Sequence, residues 1–464
     1  MKASTGEVQV VSRRVVRPEP ATSPDGAVPP EPETMHLTPW DLRMLTVDYI
    51  HKGLLLPKPQ TGAESPSLVD GLASSFARAL SRFYPLAGRL TVVTEAAAGE
   101  PDPGIVVSLR CSGDGAEFVH AVAPEVTASD IAAADHYIPP VVWSLFPLNG
   151  VLGADVSRPV LGAQVTELAD GVFLAVSLNH AVGDGTTFWH FINTWSEMSR
   201  RSSCSDAGVE LSTPPPVLDR WFLDGCPVPI RLPFAIVRRP VYPPVRECFF
   251  HFSPESVMNL KAKANAEMAG GKVAATISSL QALLAHTWRA VCRARELTPE
   301  RETPYILYVG CRGRVRGISQ GYMGNTVTDA VAKSTAGEVV GKGLGWAAWL
   351  MNRAVAALDE ASVREDLASW LRSPRFLYED GATAAATATI ATGSSPRFDV
   401  FGNDFGWGWP VAVRSGAGNK MDGKVTVYEG RGGGMALEVC LSPGALARLV
   451  ADEEFMEAVS AATA

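Results

Sequence analysis

The chain has 464 residues, 46% hydrophobic and 19% charged, which is too long for one ordinary core and apolar enough to fill two. That composition excludes a disordered, fibrous or low-complexity protein. The net charge of -8, from 41 basic and 49 acidic residues, excludes a general nucleic-acid binder, so an anionic ligand must meet a local basic patch.

In chain order, residues 1–36 read as an irregular leader interrupted by Pro18, Pro20, Pro24, Pro29, Pro30 and Pro32. Arg13, Arg14 and Arg17 are followed by no apolar stretch of the secretory kind, and no apolar run reaches the roughly 18 residues of a spanning helix. The predicted address is the cytosol. Leu68, Leu72, Phe76, Ala79 and Leu80 recur at helical spacing until Pro85, and Gly88 turns the chain into a strand over 89–94. Leu161–Leu168 and Val172–Leu178 are apolar runs joined by Asp170-Gly171, which predicts a hairpin. A helix is predicted after Asp184, with Phe188, Phe191, Ile192 and Trp195 on one face.

Between 206 and 245 the prolines crowd, at 214–216, 227, 229, 233, 240, 243 and 244. A connection this long marks a boundary between two domains, 37–205 and 246–464. The second half reads as a strand near 248–252, helices over 254–266 and 277–295, a strand over 305–311 and helices over 337–359 and 363–371. Strands near 411–414, 424–429 and 436–441 follow, then a helix after Pro443. The fold class is therefore α/β with mixed sheets. Seven cysteines, an odd number with no CxxC pair, fit a reducing compartment better than a disulfide framework or a zinc site.

Three groups of residues could carry chemistry. A buried strand ends on Asn179-His180, and Gly183, Asp184 and Gly185 precede the next helix. A histidine aimed by a sheet end can act as a base near neutral pH, and Asp184 can cap the helix behind it. On pattern alone His180 reads equally as a satisfied core histidine and Asp184 as nothing more than a cap. A metal set with His190 matches no standard ligand spacing, so no metal is expected. The second group, Asn403-Asp404-Phe405-Gly406-Trp407-Gly408-Trp409-Pro410, shares Asp-Phe-Gly with kinases but lacks their other motifs. It reads as a loop packed by its tryptophans, with Asp404 paired to an arginine. The third group is basic: Arg289, Arg293, Arg295, Arg312 and Arg314, then Arg414, Lys420 and Lys424. The first three read as a solvated helix face, and Arg312 and Arg314 as members of structural ion pairs.

Taken in one order, these motifs resemble the plant BAHD acyltransferases. The likeness rests on His180-x-x-x-Asp184-Gly185 and Asp404-Phe-Gly-Trp407-Gly408. It is supported by Tyr84-Pro-Leu-Ala-Gly-Arg-Leu90, Gln164-Val-Thr166, Ser278-Ser279, Arg312-x-Arg314 and Tyr322-x-Gly324-Asn325, and covers nearly the whole chain from Leu37. Leu37-Thr38-Pro-Trp-Asp-Leu42 and Tyr49-Ile-x-Lys-Gly53 look like a less-studied subgroup. The resemblance implies two similar-sized chloramphenicol-acetyltransferase-like domains with the active site at their interface. It implies acyl transfer from an acyl-coenzyme A co-substrate to the hydroxyl or amine of a small plant metabolite, the acyl group being other than amino-acyl. No permanently bound cofactor and no nucleic-acid or membrane partner is implied, and a monomer is expected.

His180 would be the general base. Asp184, Gly185, Asp404, Trp407 and Arg312 would support the site, with Asp404 bound to Arg312 or Arg314. Ser278, Arg414 and Ser415 would meet coenzyme A, and Thr38, Ser394 and Arg397 would line the acceptor pocket. Three departures bear on this. Asn179 stands where the related peptide-condensation domains carry a second histidine. Trp409 replaces a common basic residue, and Ser394-Ser395 replaces an aromatic one. Asn179 disfavours a carrier-protein condensation role, and the other two leave a second reading, a lyase or hydrolase that uses the same cleft without coenzyme A.

Overall fold

A computed structural model describes residues 7–19, 32–59, 65–95, 104–132, 137–202, 210–233, 243–269, 276–377 and 388–460. The first half supplies strands β1 (Gln9–Val16), β2 (Glu33–His36), β3 (Ile50–Pro57), β4 (Arg89–Glu95), β5 (Gly104–Cys111), β6 (Ala116–Ala123), β7 (Leu161–Leu168) and β8 (Gly171–Leu178). Then come β9 (Arg231–Leu232), β10 (Arg246–Phe252), β11 (Tyr305–Gly310), β12 (Val327–Ala332), β13 (Ile390–Gly393), β14 (Ala412–Ser415), β15 (Lys424–Glu429) and β16 (Met435–Leu441).

Three sheets result. One six-stranded sheet runs β1-β6-β7-β8-β3-β14, another runs β10-β16-β15-β13-β11-β12, and β2-β5-β4 with β9 forms a smaller one. Pairing is parallel in β6–β7, β11–β13 and β13–β15 and antiparallel elsewhere in the two large sheets, so both are mixed. Each large sheet backs its own apolar core, one built on Phe76, Phe118, Phe188 and Trp195 and one on Phe250, Trp288, Tyr305 and Phe455.

Local chemistry accounts for the elements that position the site. All eight residues of β8 are buried, which is why Gly-Val-Phe-Leu-Ala-Val-Ser-Leu is a nearly unbroken apolar run. The helix Gly185–Ser202 buries Phe188, Phe191, Ile192 and Trp195 against the helix Ser65–Arg82. Trp195 is fully buried, donates from Nε1 to Leu72 O (3.2 Å) and Ser75 Oγ (3.1 Å), and meets Phe76 edge-on at 4.8 Å.

Four expectations are corrected. Residues 1–36 are not an irregular leader throughout, because Gln9–Val16 pairs antiparallel with β6 as an exposed edge strand and Glu33–His36 pairs with β5. Charge rather than alternation marks β1, whose Arg13 and Arg14 reach Glu117 and Asp70 and guard the edge. The helix expected over 337–359 is two, Ala336–Gly341 and Leu344–Ala356, broken where Gly343 takes φ 94°. Arg289, Arg293 and Arg295 bind Glu454, Asp452 and Asp422 at 2.6, 2.7 and 2.8 Å instead of facing solvent. Finally, residues 246–464 do not form a self-contained unit, since β14 leaves them to pair with β3, Ala412 opposite Leu55 and Ser415 opposite Lys52.

Trp195→Ala removes the centre of the first core and two hydrogen bonds. A loss of about 3–5 kcal/mol is expected, read as a lower urea midpoint by far-ultraviolet circular dichroism.

Candidate active site

β8 ends in a turn built to hold one side chain. Asn179 is fully buried, donates from Nδ2 to Gly153 O (2.8 Å) and accepts Ala181 N–H at Oδ1 (2.9 Å), while its own N–H meets Val160 O (2.7 Å). With both ends of that amide satisfied, the next residue, His180, is set on the wall of a cavity of about 520 Å³. Tyr49, Lys52, His180 and Trp189 line it from the first half, and Tyr308, Ser394, Lys424 and Glu438 from the second.

His180 is oriented by a residue 145 positions away. The Asn325 Nδ2 group donates to Asp41 Oδ1 (2.9 Å) and to His180 O (2.7 Å), and Asn325 N–H also donates to Asp41 Oδ1 (3.0 Å). Those bonds leave Asn325 Oδ1, an acceptor, 3.2 Å from His180 Nδ1. The ring must therefore carry its proton on Nδ1, and Nε2 keeps a lone pair. Burial lowers the pKa of His180, opposed by a hydrogen bond to its own backbone and by the Asp184 charge, so the ring is neutral at pH 7. Asp41 is itself held by the Thr38 cap (Oγ1 to Oδ2, 2.8 Å) and by Arg220 (3.5 Å).

Asp184 acts through position. Its Oδ1 accepts Thr186 N–H (3.0 Å) and Thr187 N–H (3.1 Å), capping the following helix. Its Oδ2 accepts Arg312 Nη1 (2.6 Å) and Thr326 N–H (3.1 Å). Burial alone would raise this carboxyl, but Arg312 and the backbone donors hold it below the usual range. Arg312 spends its other donors on Tyr322 O (2.8 Å) and Gly324 O (3.0 Å), the loop that carries Asn325. One ion pair thus ties the histidine turn to the asparagine loop. Gly185 lies on the cavity wall, where a Cβ would come within 3.2 Å of Phe398.

Asp404 does not have the arginine partner expected of it. Asp404 Oδ1 accepts Gly406 N–H (2.8 Å) and Gly408 N–H (3.1 Å) rather than an arginine, and Arg314 donates to Leu358 O. Positive φ at Gly406 (115°) and Gly408 (137°) folds the backbone onto its own aspartate, which removes the need for a distant cation. Trp407 Nε1 donates to Pro57 O (3.0 Å), Phe405 packs edge-on against Trp195 at 5.2 Å, and Ser199 Oγ donates to Phe405 O (2.9 Å). The loop clamps the second half to the first outside the cavity. Trp409 is 65% exposed and takes no part in that packing.

The remaining expected residues separate. Ser394, Arg397 and Ser415 line the cavity. Thr38 is fully buried as the cap of the Pro39–Leu42 helix and acts on Asp41 instead of lining the pocket. Ser278 caps the helix Ser279–Ala294 on the surface. Arg414 is buried over Phe249 (4.3 Å) and donates to Ile131 O and Ala132 O (both 3.0 Å), so its guanidinium is consumed inside the protein. Asn325 and Asp41 were missed. Asn325 stood inside a supporting motif, and Thr38-x-x-Asp41 is a capping-box spacing, but their meeting is long-range.

At the cavity wall, Glu438 brings a potential ligand atom within 4.8 Å of those of Glu247 and Cys440, and the Lys420 ammonium pairs with both carboxylates there. Among the described residues, no helix is long and apolar enough to cross a membrane.

With this geometry established, the chain can be set beside known proteins. Residues 7–456 match the model of a family described as the Transferase family. An uncharacterized acetyltransferase of Arabidopsis thaliana is 35% identical over 459 residues, covering 97% of this chain and 99% of that protein. The BAHD acyltransferase DCR of the same plant is 32% identical over 449 residues, with 91% and 88% covered. Among solved structures, TRI101 of F. graminearum complexed with ethyl coenzyme A superposes with a TM-score of 0.68 at 18% identity, covering 92% of this chain and 99% of that one. That likeness shows a shared fold.

The Asp184–Arg312 pair is open to a double-mutant cycle. Asp184→Asn or Arg312→Met alone leaves one charge buried without its partner and is expected to cost about 3–5 kcal/mol. The double variant is expected to lose clearly less than the sum of the two in urea denaturation.

Proposed function

The chain belongs to the BAHD family of acyltransferases, and we propose that within it His180 is the general base for transfer of an acyl group from coenzyme A to the hydroxyl or amine of a small metabolite. The observation that carries this reading is the 3.2 Å contact of His180 Nδ1 with the Asn325 Oδ1 acceptor on the wall of a cavity lined by both halves, an arrangement that leaves Nε2 to act as the base.

The chemistry follows from that arrangement. An alcohol is a weak nucleophile at neutral pH, whereas a thioester carbonyl is already activated. As the acceptor oxygen or nitrogen attacks the carbonyl carbon, Nε2 takes its proton, and a tetrahedral intermediate forms with an imidazolium beside it. Collapse breaks the carbon–sulfur bond, and the coenzyme A thiolate leaves with the proton that His180 returns. Asn325 keeps the ring in the productive tautomer through both steps, accepting from Nδ1–H whether the ring is neutral or charged. Holding donor and acceptor together supplies much of the rate, so no covalent enzyme intermediate is needed. Asp184 and Arg312 keep the two loops in register, and Ser394 and Arg397 supply polar and charged contacts along the pocket.

Thiol release from a panel of aromatic and aliphatic coenzyme A esters, offered with mixed alcohol and amine acceptors, tests the reading. His180→Ala is expected to lower the rate by about 10²–10⁴. The pKa of His180 is lowered from 6.5, so its neutral form persists below that value, and kcat/KM is expected to be flat above pH 6.5 and to fall only at more acidic pH. Absence of thiol release above the His180→Ala background across the panel contradicts it.

A further inference from the structure

β3 places Lys52 opposite Val176 of β8 and Ser415 of β14, in the interior of the first large sheet. Lys52 lines the same cavity as His180. One partner is present: Nζ donates to Tyr428 OH at 2.7 Å and lies 4.8 Å from the centre of that fully buried ring. Among the described residues no carboxylate stands within ion-pair distance of it, and its one hydrogen bond leaves further donors on the ammonium. An ammonium partly removed from water is stabilised by an anionic partner.

The charges around the cavity sharpen the point. The lining carries Lys52, Arg312, Arg397, Lys420 and Lys424 against Asp184 and Glu438. Arg312 is neutralised by Asp184, and Lys420 by Glu438 together with Glu247 behind the wall. Lys52, Lys424 and Arg397 remain without a carboxylate partner among the described residues. A protein of net charge -8 thus encloses a cavity with a cationic surplus.

The three free cations are placed differently. Arg397 is exposed, and Lys424 is half-buried over Tyr308 at 4.9 Å. Lys52 is half-buried as well, and it is the one whose ammonium is anchored by a side-chain hydrogen bond, to Tyr428. Burial brings its pKa down to about 7, opposed by Glu438 and assisted by Lys420 and Lys424. The other ionisable groups packed around it are His51 on its own strand, Arg414 on β14, Tyr428 on β15, and Glu247 and Cys440 on β10 and β16. Burial pushes the His51 imidazole down to about 3 and keeps it neutral. Tyr428 and Cys440 are pushed up by burial and are neutral as well.

We propose that Lys52 is the recognition point for a carboxylate carried by the small molecule, so that the acceptor or the acyl group of this enzyme is an acid. This rests on reading the cavity as the site of acyl transfer and narrows its substrate class. A single anchored ammonium on the cavity wall suits one compact carboxylate, which supplies a direct ion-pair partner. The diphosphate of coenzyme A spreads its charge along a chain that must reach solvent.

Titration calorimetry of the whole protein separates the sources of the carboxylate. For the acceptor the probes are 3-hydroxybenzoate and shikimate, each against its methyl ester. For the acyl chain the probe is succinyl-coenzyme A against butyryl-coenzyme A, with free coenzyme A as the common reference. The expected result at pH 7 is tenfold or greater preference for the acid in at least one pair. Lys52→Met is expected to abolish that preference and Lys52→Arg to retain it, with affinity for free coenzyme A unchanged within twofold.

Binding of the acid stabilises the ammonium, so at pH 8 the complex takes up protons, read from titrations in two buffers of different ionisation enthalpy, and Lys52→Met loses that uptake. Melting temperatures show whether each variant is folded. Absence of acid preference in every wild-type pair overturns the proposal, as does preference intact in a folded Lys52→Met. A parallel loss of affinity for free coenzyme A in that variant overturns it too, assigning Lys52 to the phosphates. Acid preference that depends on Lys52 in a protein that does not bind coenzyme A supports the carboxylate site and counts against the acyl-transfer reading alone.

Discussion

The buried contact between Asp184 and Arg312 is the constraint on which the site depends. Taking both charges out of water costs several kcal/mol per ion, and their attraction offsets this only when the remaining lone pairs and N–H groups are also satisfied. They are satisfied here: Asp184 caps a helix with one oxygen and binds Arg312 and Thr326 with the other, and Arg312 reaches Tyr322 O and Gly324 O. The pair's use is registry. It joins the turn after β8 to the loop of Asn325, and Asn325 sets which nitrogen of His180 is the base.

Registry matters because the two halves are not independent. β14 leaves the second half to complete the first large sheet, and the 403–408 loop lies across the Gly185–Ser202 helix and the end of β3. These attachments join the halves at separate places, so relative motion of the halves would strain several of them together. A cavity shared between two rigidly joined halves can hold two substrates in one geometry, which is the requirement for a reaction that relies on proximity.

Much of this was legible from residues alone, for identifiable reasons. The hairpin 161–178, the helix after Asp184 and the position of His180 at a strand end follow from an unbroken apolar run, an Asp170-Gly171 turn and helical spacing, all local signals. β1 was missed because an edge strand needs no apolar face, and β14, expected as a strand, was not expected in the first sheet because four residues carry too little pattern to show which sheet they join. The partner of Asp404 was misjudged because glycines at positive φ let a carboxylate bind its own loop. Asp41 and Asn325 are 284 positions apart and meet only in the folded chain. Formal charge was equally silent about the site, since an acidic total conceals a cationic cavity and an Arg414 whose charge is consumed inside the core.

The central claim, that Asn325 holds His180 as a neutral base with the proton on Nδ1, is tested most directly by nitrogen-15 NMR of the labelled imidazole. At pH 7 the account predicts a neutral ring with Nδ1 protonated and Nε2 carrying the lone pair, and loss of that single tautomer in Asn325→Ala. A ring protonated on Nε2, a charged ring at pH 7, or a tautomer unchanged in Asn325→Ala would contradict it.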